Sequence, residues 1–137
     1  QLGILHHVTF MGDVMHVESY LPNADCVIQP SYRESFSMVL LEAMACAIPT
    51  VSSNVDGIPE VVEHGVSGYM FDPEDALAMA KAMETILLDD NKQQQMGLAG
   101  RERARALFSP EQKITQYVEC YHHAIADNGY LEAVVNS

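Results

Sequence analysis

Two glutamates eight residues apart, Glu34 and Glu42, lie in the run Pro30-Ser-Tyr-Arg-Glu-Ser-Phe-Ser-Met-Val-Leu-Leu-Glu-Ala-Met-Ala. Asp25 to Pro30 reads as an apolar strand, Ser31 to Glu34 as a polar loop, Ser35 as the candidate N-cap and Phe36 to Cys46 as an apolar, buried helix. A rise of 1.5 Å per residue separates the two carboxylates by roughly 10 Å, with unpaired backbone N–H groups of the first helical turn between them. A nucleoside diphosphate sugar carries complementary groups in the same order: sugar hydroxyls, an anionic diphosphate and ribose hydroxyls.

Each carboxylate also has a plainer explanation. Glu34 alone is equally well accounted for by favourable charge near the positive end of a helix. Glu42, between Leu40-Leu41 and Ala43-Met44, needs a partner if it is buried, and a backbone amide or an arginine of the chain would serve as well as a ligand.

The elements that must position these residues alternate between strand and helix. Val8-Thr-Phe10, Cys26-Val-Ile28, Thr50-Val-Ser52 and Gly68-Tyr-Met-Phe71 are short apolar runs of strand type separated by helical stretches, the pattern of an α/β domain with a mostly parallel sheet. Asp72-Pro73-Glu74-Asp75 reads as a cap with proline at the first helical position, followed by Ala76, Met79, Ala80, Met83 and Ile86 on one face. Ser109-Pro110-Glu111-Gln112 fits a capping box, with Ile114, Tyr117, Val118, Tyr121 and Ile125 as the next buried stripe. Between them, Lys92 to Leu107 predicts a polar helix, interrupted at Gly97 or Gly100, whose Arg101, Arg103 and Arg105 form a solvated face.

A second loop–helix junction, Ser52 to Gly65, follows the third strand. Pro59 suits the first turn of a short helix, Gly65 its C′ position, and Gly57 a close approach of backbone to a ligand. Ligands of parallel sheets lie beyond the carboxyl ends of the strands, so both junctions are expected to converge on one crevice.

With 137 residues and 48% hydrophobic content, the chain suffices for one domain with a real core. A net charge of −12 disfavours nucleic acid and anionic lipid as partners, while an anionic small ligand is accommodated where helix N-termini supply local positive potential. No run is long and apolar enough to span a membrane. Cys26, Cys46 and Cys120 are odd in number and far apart, which suits reduced thiols in a cytoplasmic protein; neither they nor the adjacent pairs His6-His7 and His122-His123 have the spacing of a metal site. The opening residues lack an initiator methionine and a signal-like segment, so the chain is expected to be a fragment of a longer protein.

In order along the chain, Val8-Thr-Phe-Met-Gly12, Ala24-Asp25, Pro30-Ser31, Glu34-Ser-Phe36, Leu41-Glu-Ala-Met-Ala45, Ile48-Pro49, Gly57-Ile-Pro-Glu60, His64-Gly65, Gly68-Tyr69 and Phe108-Ser109 resemble the carboxy-terminal, donor-binding domain of family-4 glycosyltransferases of GT-B architecture. Within that family the stretches from Glu34 and from Glu60 look most like members of the bacillithiol pathway that join N-acetylglucosamine to L-malate. The resemblance implies the second half of a Rossmann-like GT-B domain over residues 1–126, followed by a tail over 127–137. It further implies retaining transfer from a nucleotide sugar, UDP-N-acetylglucosamine by the closer likeness, with neither cofactor nor metal required. Glu42 would then accept hydrogen bonds from ribose hydroxyls, and Glu34, as the catalytic candidate, would lie beside the donor sugar. Ser35, Phe36, Ser37, Met38 and Val39 would complete the donor site, with backbone amides meeting sugar and diphosphate.

Ser37, Ala47 and Asp56 stand where the family commonly has glycine. The basic pair for the diphosphate, the glycine-rich loop and the acceptor-binding domain would all precede Gln1. A GT-B sugar-nucleotide epimerase and a non-catalytic binding or interaction module are the competing expectations, and uncovered sheet edges leave room for a homo-oligomer.

Overall fold

A computed structural model describes residues 3–127. Three parallel strands, β1 (Val27–Gln29), β2 (Thr50–Ser53) and β3 (Gly68–Phe71), form a sheet in that order, with Val27 opposite Thr50 and Thr50 opposite Gly68. The connections carry α1 (Met38–Ala45) and α2 (Ile58–Val61), and α3 (Ala76–Leu87), α4 (Asp90–Phe108) and α5 (Pro110–Asp127) follow. The expected α/β fold with a parallel sheet and flanking helices is therefore present.

Alternation along the strands sorts the core into two layers. Val27 and Met70 face a cluster built on Leu40 and Met44 of α1 and on Ile58, Val61 and Val62. Ile28, Val51, Tyr69 and Phe71 face the opposite cluster, with Met79, Met83 and Ile86 of α3. Helix α4 closes both, Ala104 entering the first and Met96 the second.

Val8–Phe10 is not a strand. These residues stand before a series of single 3-10 turns, and Phe10 is 84% exposed. A strand is held by its ladder partner, and Val8–Phe10 pair with neither outer strand, β1 or β3, nor with any other strand among the described residues.

Several local expectations shift. Helix α3 starts after Asp75, whose side chain accepts from the Ala78 N–H at 2.8 Å, so Pro73 lies outside the helix. Its packed face is Ala78, Met79, Ala82, Met83 and Ile86, while Ala76 and Ala80 are exposed. Ser109 caps α5 through the Gln112 N–H at 3.3 Å as expected, yet Ile114, Tyr117, Val118, Tyr121 and Ile125 form an exposed stripe. Gly65 has φ +79° in a turn beyond α2, which already ends at Val61. Of the expected tail 127–137, all but Asp127 lies outside the described residues.

Helix α4 is continuous through Gly97 and Gly100. Gly97 is required for contact: a Cβ there would overlap the Ala47 carbonyl. The α1 helix ends in the geometry that brings that carbonyl in. Ala47 N–H donates to the Met44 carbonyl and Ile48 N–H to the Ala43 carbonyl, both at 2.9 Å, with Ala47 at φ +60°. This is a Schellman motif with alanine where glycine is usual.

Arg103 does not belong to a solvated face. Its guanidinium donates to the carbonyls of Val61 (2.8 Å) and Glu60 (3.0 Å) and pairs with Glu63 at 3.2 Å, so it caps the carboxyl end of α2.

Candidate donor site

The site is built at the ends of β1 and β2, where two loops meet. Glu34 N–H donates to Asp56 Oδ2 at 3.1 Å and the Glu34 carbonyl accepts from Gly57 N–H at 3.1 Å. The two junctions thus converge as their positions in the sequence predict. Gly57 permits that convergence: a Cβ would run into the Ser35 carbonyl. The close approach at Gly57 is thus to the chain's own backbone.

Asp56 sits at φ +44° and also accepts from Arg33 Nε at 3.1 Å. The hydrogen bond from the Glu34 N–H, and then that from Arg33, hold its carboxyl below the usual aspartate value. Arg33, Glu34, Ser35 and Asp56 line an open cavity of about 500 Å³.

The cap of α1 is Ser37, two residues after the expected Ser35. Ser37 has φ −88°, is 2% exposed, and its hydroxyl accepts from the Leu40 N–H at 3.3 Å. The same hydroxyl donates to Gln29 Oε1 at the end of β1, a bond that Ser35 does not make, and this favours Ser37 as the cap. Ser35 is exposed. With Leu40 satisfied, the N–H groups of Met38 and Val39 are the first-turn donors with no acceptor among the described residues. Their side chains are exposed, so the amino end of α1 is not the buried helix its composition suggests. The ring of Phe36 lies edge-on to Phe108 at 5.7 Å and ties the loop to the end of α4.

Glu42 lies on the half-buried side of α1. It lines a second cavity of about 370 Å³, with Met38, Leu41, Ala45 and Phe108 as apolar wall and Arg105 and Glu111 at its margin. The carboxylate has neither a hydrogen bond nor an ion pair to protein among the described residues, Arg105 included. Glu34 and Glu42 therefore flank the free N–H groups of α1 as expected, but each borders its own cavity.

The three residues at family glycine positions differ in backbone conformation. Ser37 needs no positive φ, while Ala47 and Asp56 adopt the left-handed conformation that glycine favours. Cys26 is pushed up in pKa by burial and by the neighbouring Asp25 charge, the opposite of an activated thiol.

Residues 1–103 match the family model described as "Glycosyl transferases group 1". The chain belongs to the group 1 glycosyl transferases. This glycosyl transferase chain is 35% identical over 127 residues to the N-acetyl-alpha-D-glucosaminyl L-malate synthase of Bacillus anthracis, covering 93% of the chain and 33% of that protein. It is 42% identical over 105 residues to the D-inositol 3-phosphate glycosyltransferase of Corynebacterium diphtheriae, covering 75% and 25%. Among solved structures it resembles Anabaena HepE in complex with UDP, with a TM-score of 0.86, 28% identity, and coverage of 89% of the chain and 34% of HepE. The glycosyl transferase chain thus spans about a third or less of each of these three proteins, and its Rossmann-like sheet is that of a GT-B carboxy-terminal half.

Sequence reading missed Gln29, Asp56 and Arg105 as members or neighbours of the site. Gln29 carried a signal, a polar residue closing an apolar strand immediately before Pro30. Asp56 stands out only as a departure from the family's glycine, and Arg105 reads with the solvated face, on which its exposed side chain does lie.

Proposed function

We propose that the chain supplies the donor-binding part of a retaining glycosyltransferase that takes its sugar from UDP-N-acetylglucosamine and passes it to a small acceptor such as L-malate. The half-buried carboxylate of Glu42, unpartnered among the described residues, carries this reading. An acceptor-only group beside an apolar wall suits vicinal ribose hydroxyls with a base stacked nearby. Glu34 lies by the donor sugar as the catalytic candidate. Met38 and Val39 N–H groups face the diphosphate and stabilise the charge that grows on it as it leaves, an electrostatic role that needs no metal. The acceptor is held by a domain outside this chain, and the free thiols suit work in the cytoplasm.

HepE was solved with UDP, which supports a uridine donor, while the Bacillus and Corynebacterium relatives differ in the acceptors that their names give. Saturation-transfer NMR with UDP and UDP-N-acetylglucosamine tests the reading on the full-length parent. Absence of transfer to either ligand would favour an interaction module, and epimerisation of the donor without acceptor would favour an epimerase. Glu42→Ala should weaken UDP binding by roughly tenfold to a hundredfold, the loss of a hydrogen bond to a charged group. Unchanged affinity by calorimetry in the folded variant would sink the ribose assignment.

A further inference from the structure

We propose that Gln29 is a positioning residue for sugar transfer, holding the Glu34 carboxylate from the end of β1. This rests on the reading that Glu34 lies beside the donor sugar. The Gln29 Nε2 donates to Glu34 Oε2 at 2.6 Å and to Ser31 Oγ at 3.3 Å, and its Oε1 accepts from the Ser37 hydroxyl. Ser37 in turn accepts from the Leu40 N–H.

The polarity of this chain of bonds is determined throughout. An ionised carboxylate is acceptor-only, so the amide must turn its NH2 group towards Glu34. Its oxygen then faces Ser37, whose single proton goes to Gln29 and whose lone pair takes the Leu40 N–H. Bonds aligned in one direction polarise one another, and here they run from the first turn of α1 to the carboxylate. Asp56 and Gly57 hold the backbone of Glu34 from the other side, so Gln29 is what orients its side chain. Only Oε2 is engaged by protein among the described residues, which leaves Oε1 for a sugar hydroxyl.

A hydrophobic residue of similar volume would fill the space and leave both Glu34 and Ser37 unheld. The consequence for the reaction is specific: the carboxylate loses its orientation while the ribose and diphosphate contacts, made elsewhere, persist.

Steady-state kinetics with UDP-N-acetylglucosamine on the full-length parent tests the proposal through a double-mutant cycle of Gln29→Leu and Glu34→Ala. Gln29→Leu should lower kcat about tenfold, with donor KM changed less than about threefold. In the Glu34→Ala background the same change should have no further effect. Gln29→Glu supplies a second measurement should the leucine variant not fold. Two facing carboxylates hold one proton at low pH, and a protonated Glu at position 29 restores both the donor to Glu34 and the acceptor for Ser37. Its kcat should therefore recover as the pH falls, which a merely structural side chain would not produce. Equal losses from Gln29→Leu with and without Glu34, or a Gln29→Glu variant whose pH profile matches the parent's, would overturn the positioning role alone. Full turnover by Glu34→Ala would overturn the underlying reading as well, and that single variant tells the two failures apart.

Discussion

At the scale of single residues, Ser37 shows how one substitution is absorbed. The family's glycine could answer to a positive φ or to lack of space; φ of −88° leaves space as the constraint, and the hydroxyl is turned inward to Gln29. Ser37→Gly should accordingly change donor KM by less than about fivefold, around 1 kcal/mol, because the cap loses only a few tenths and the ligand loses nothing. Ser37→Val should be far more damaging, since a branched side chain has neither the room nor the hydroxyl. Kinetics on the two variants decides; equal activity for valine and serine would mean that neither the Ser37 hydroxyl nor the space around it matters to this loop. The pair Glu34 and Glu42 was legible from spacing alone, since strand, loop and helix follow from local pattern. Gln29 was not, because its role depends on the choice between Ser35 and Ser37 as cap, and that choice is made by a hydrogen bond across eight residues of chain.

Elements carry their own test at the joint of α1 and α4. Ala47 closes α1 at φ +60°, and its carbonyl rests on Gly97. A left-handed alanine costs about 1–2 kcal/mol, partly offset by the lower unfolded-state entropy of alanine relative to glycine. Ala47→Gly should then raise stability by about 0.5–1 kcal/mol in chemical denaturation, whereas Gly97→Ala should be strongly destabilising because the obstructing atom is backbone. A neutral Gly97→Ala would mean that the two helices are not in contact there. Strands β2 and β3 and the start of α5 could be read from composition and capping residues. The packed face of α3 and the role of Arg103 could not: helical periodicity defines a stripe, but which stripe is buried depends on the sheet it meets, and the carbonyls that Arg103 caps lie 40 or more residues away.

For the whole molecule, the uncovered surfaces are the informative ones. The outer edge of β1 is unpaired among the described residues, Val8 and Phe10 are exposed, and α5 presents Ile114, Tyr117 and Tyr121 to solvent. Open edges and apolar stripes favour association. The chain expressed alone should therefore be inactive in sugar transfer and polydisperse in light scattering. A monodisperse monomer that unfolds cooperatively and transfers sugar at ordinary rates would refute this. The sequence could not reveal the loss of the Val8 strand, since strand propensity describes a segment and pairing describes its neighbours.

Asp56 gives the meeting of the two loops a dependence on acidity. Its carboxylate receives the Glu34 N–H and Arg33, and its pKa in the fold lies below the ordinary value of 3.8. A group depressed on folding binds fewer protons in the native state, so its contribution is complete above 3.8 and disappears as the pH falls through the folded value. Asp56→Asn keeps an oxygen acceptor and tolerates the left-handed backbone but carries no charge. The stability difference between the parent and this variant should be constant from neutrality down to about pH 5 and close below pH 4. What began as a place where the family has glycine is, in this chain, a proton-linked clasp between the loop after β1 and the loop after β2.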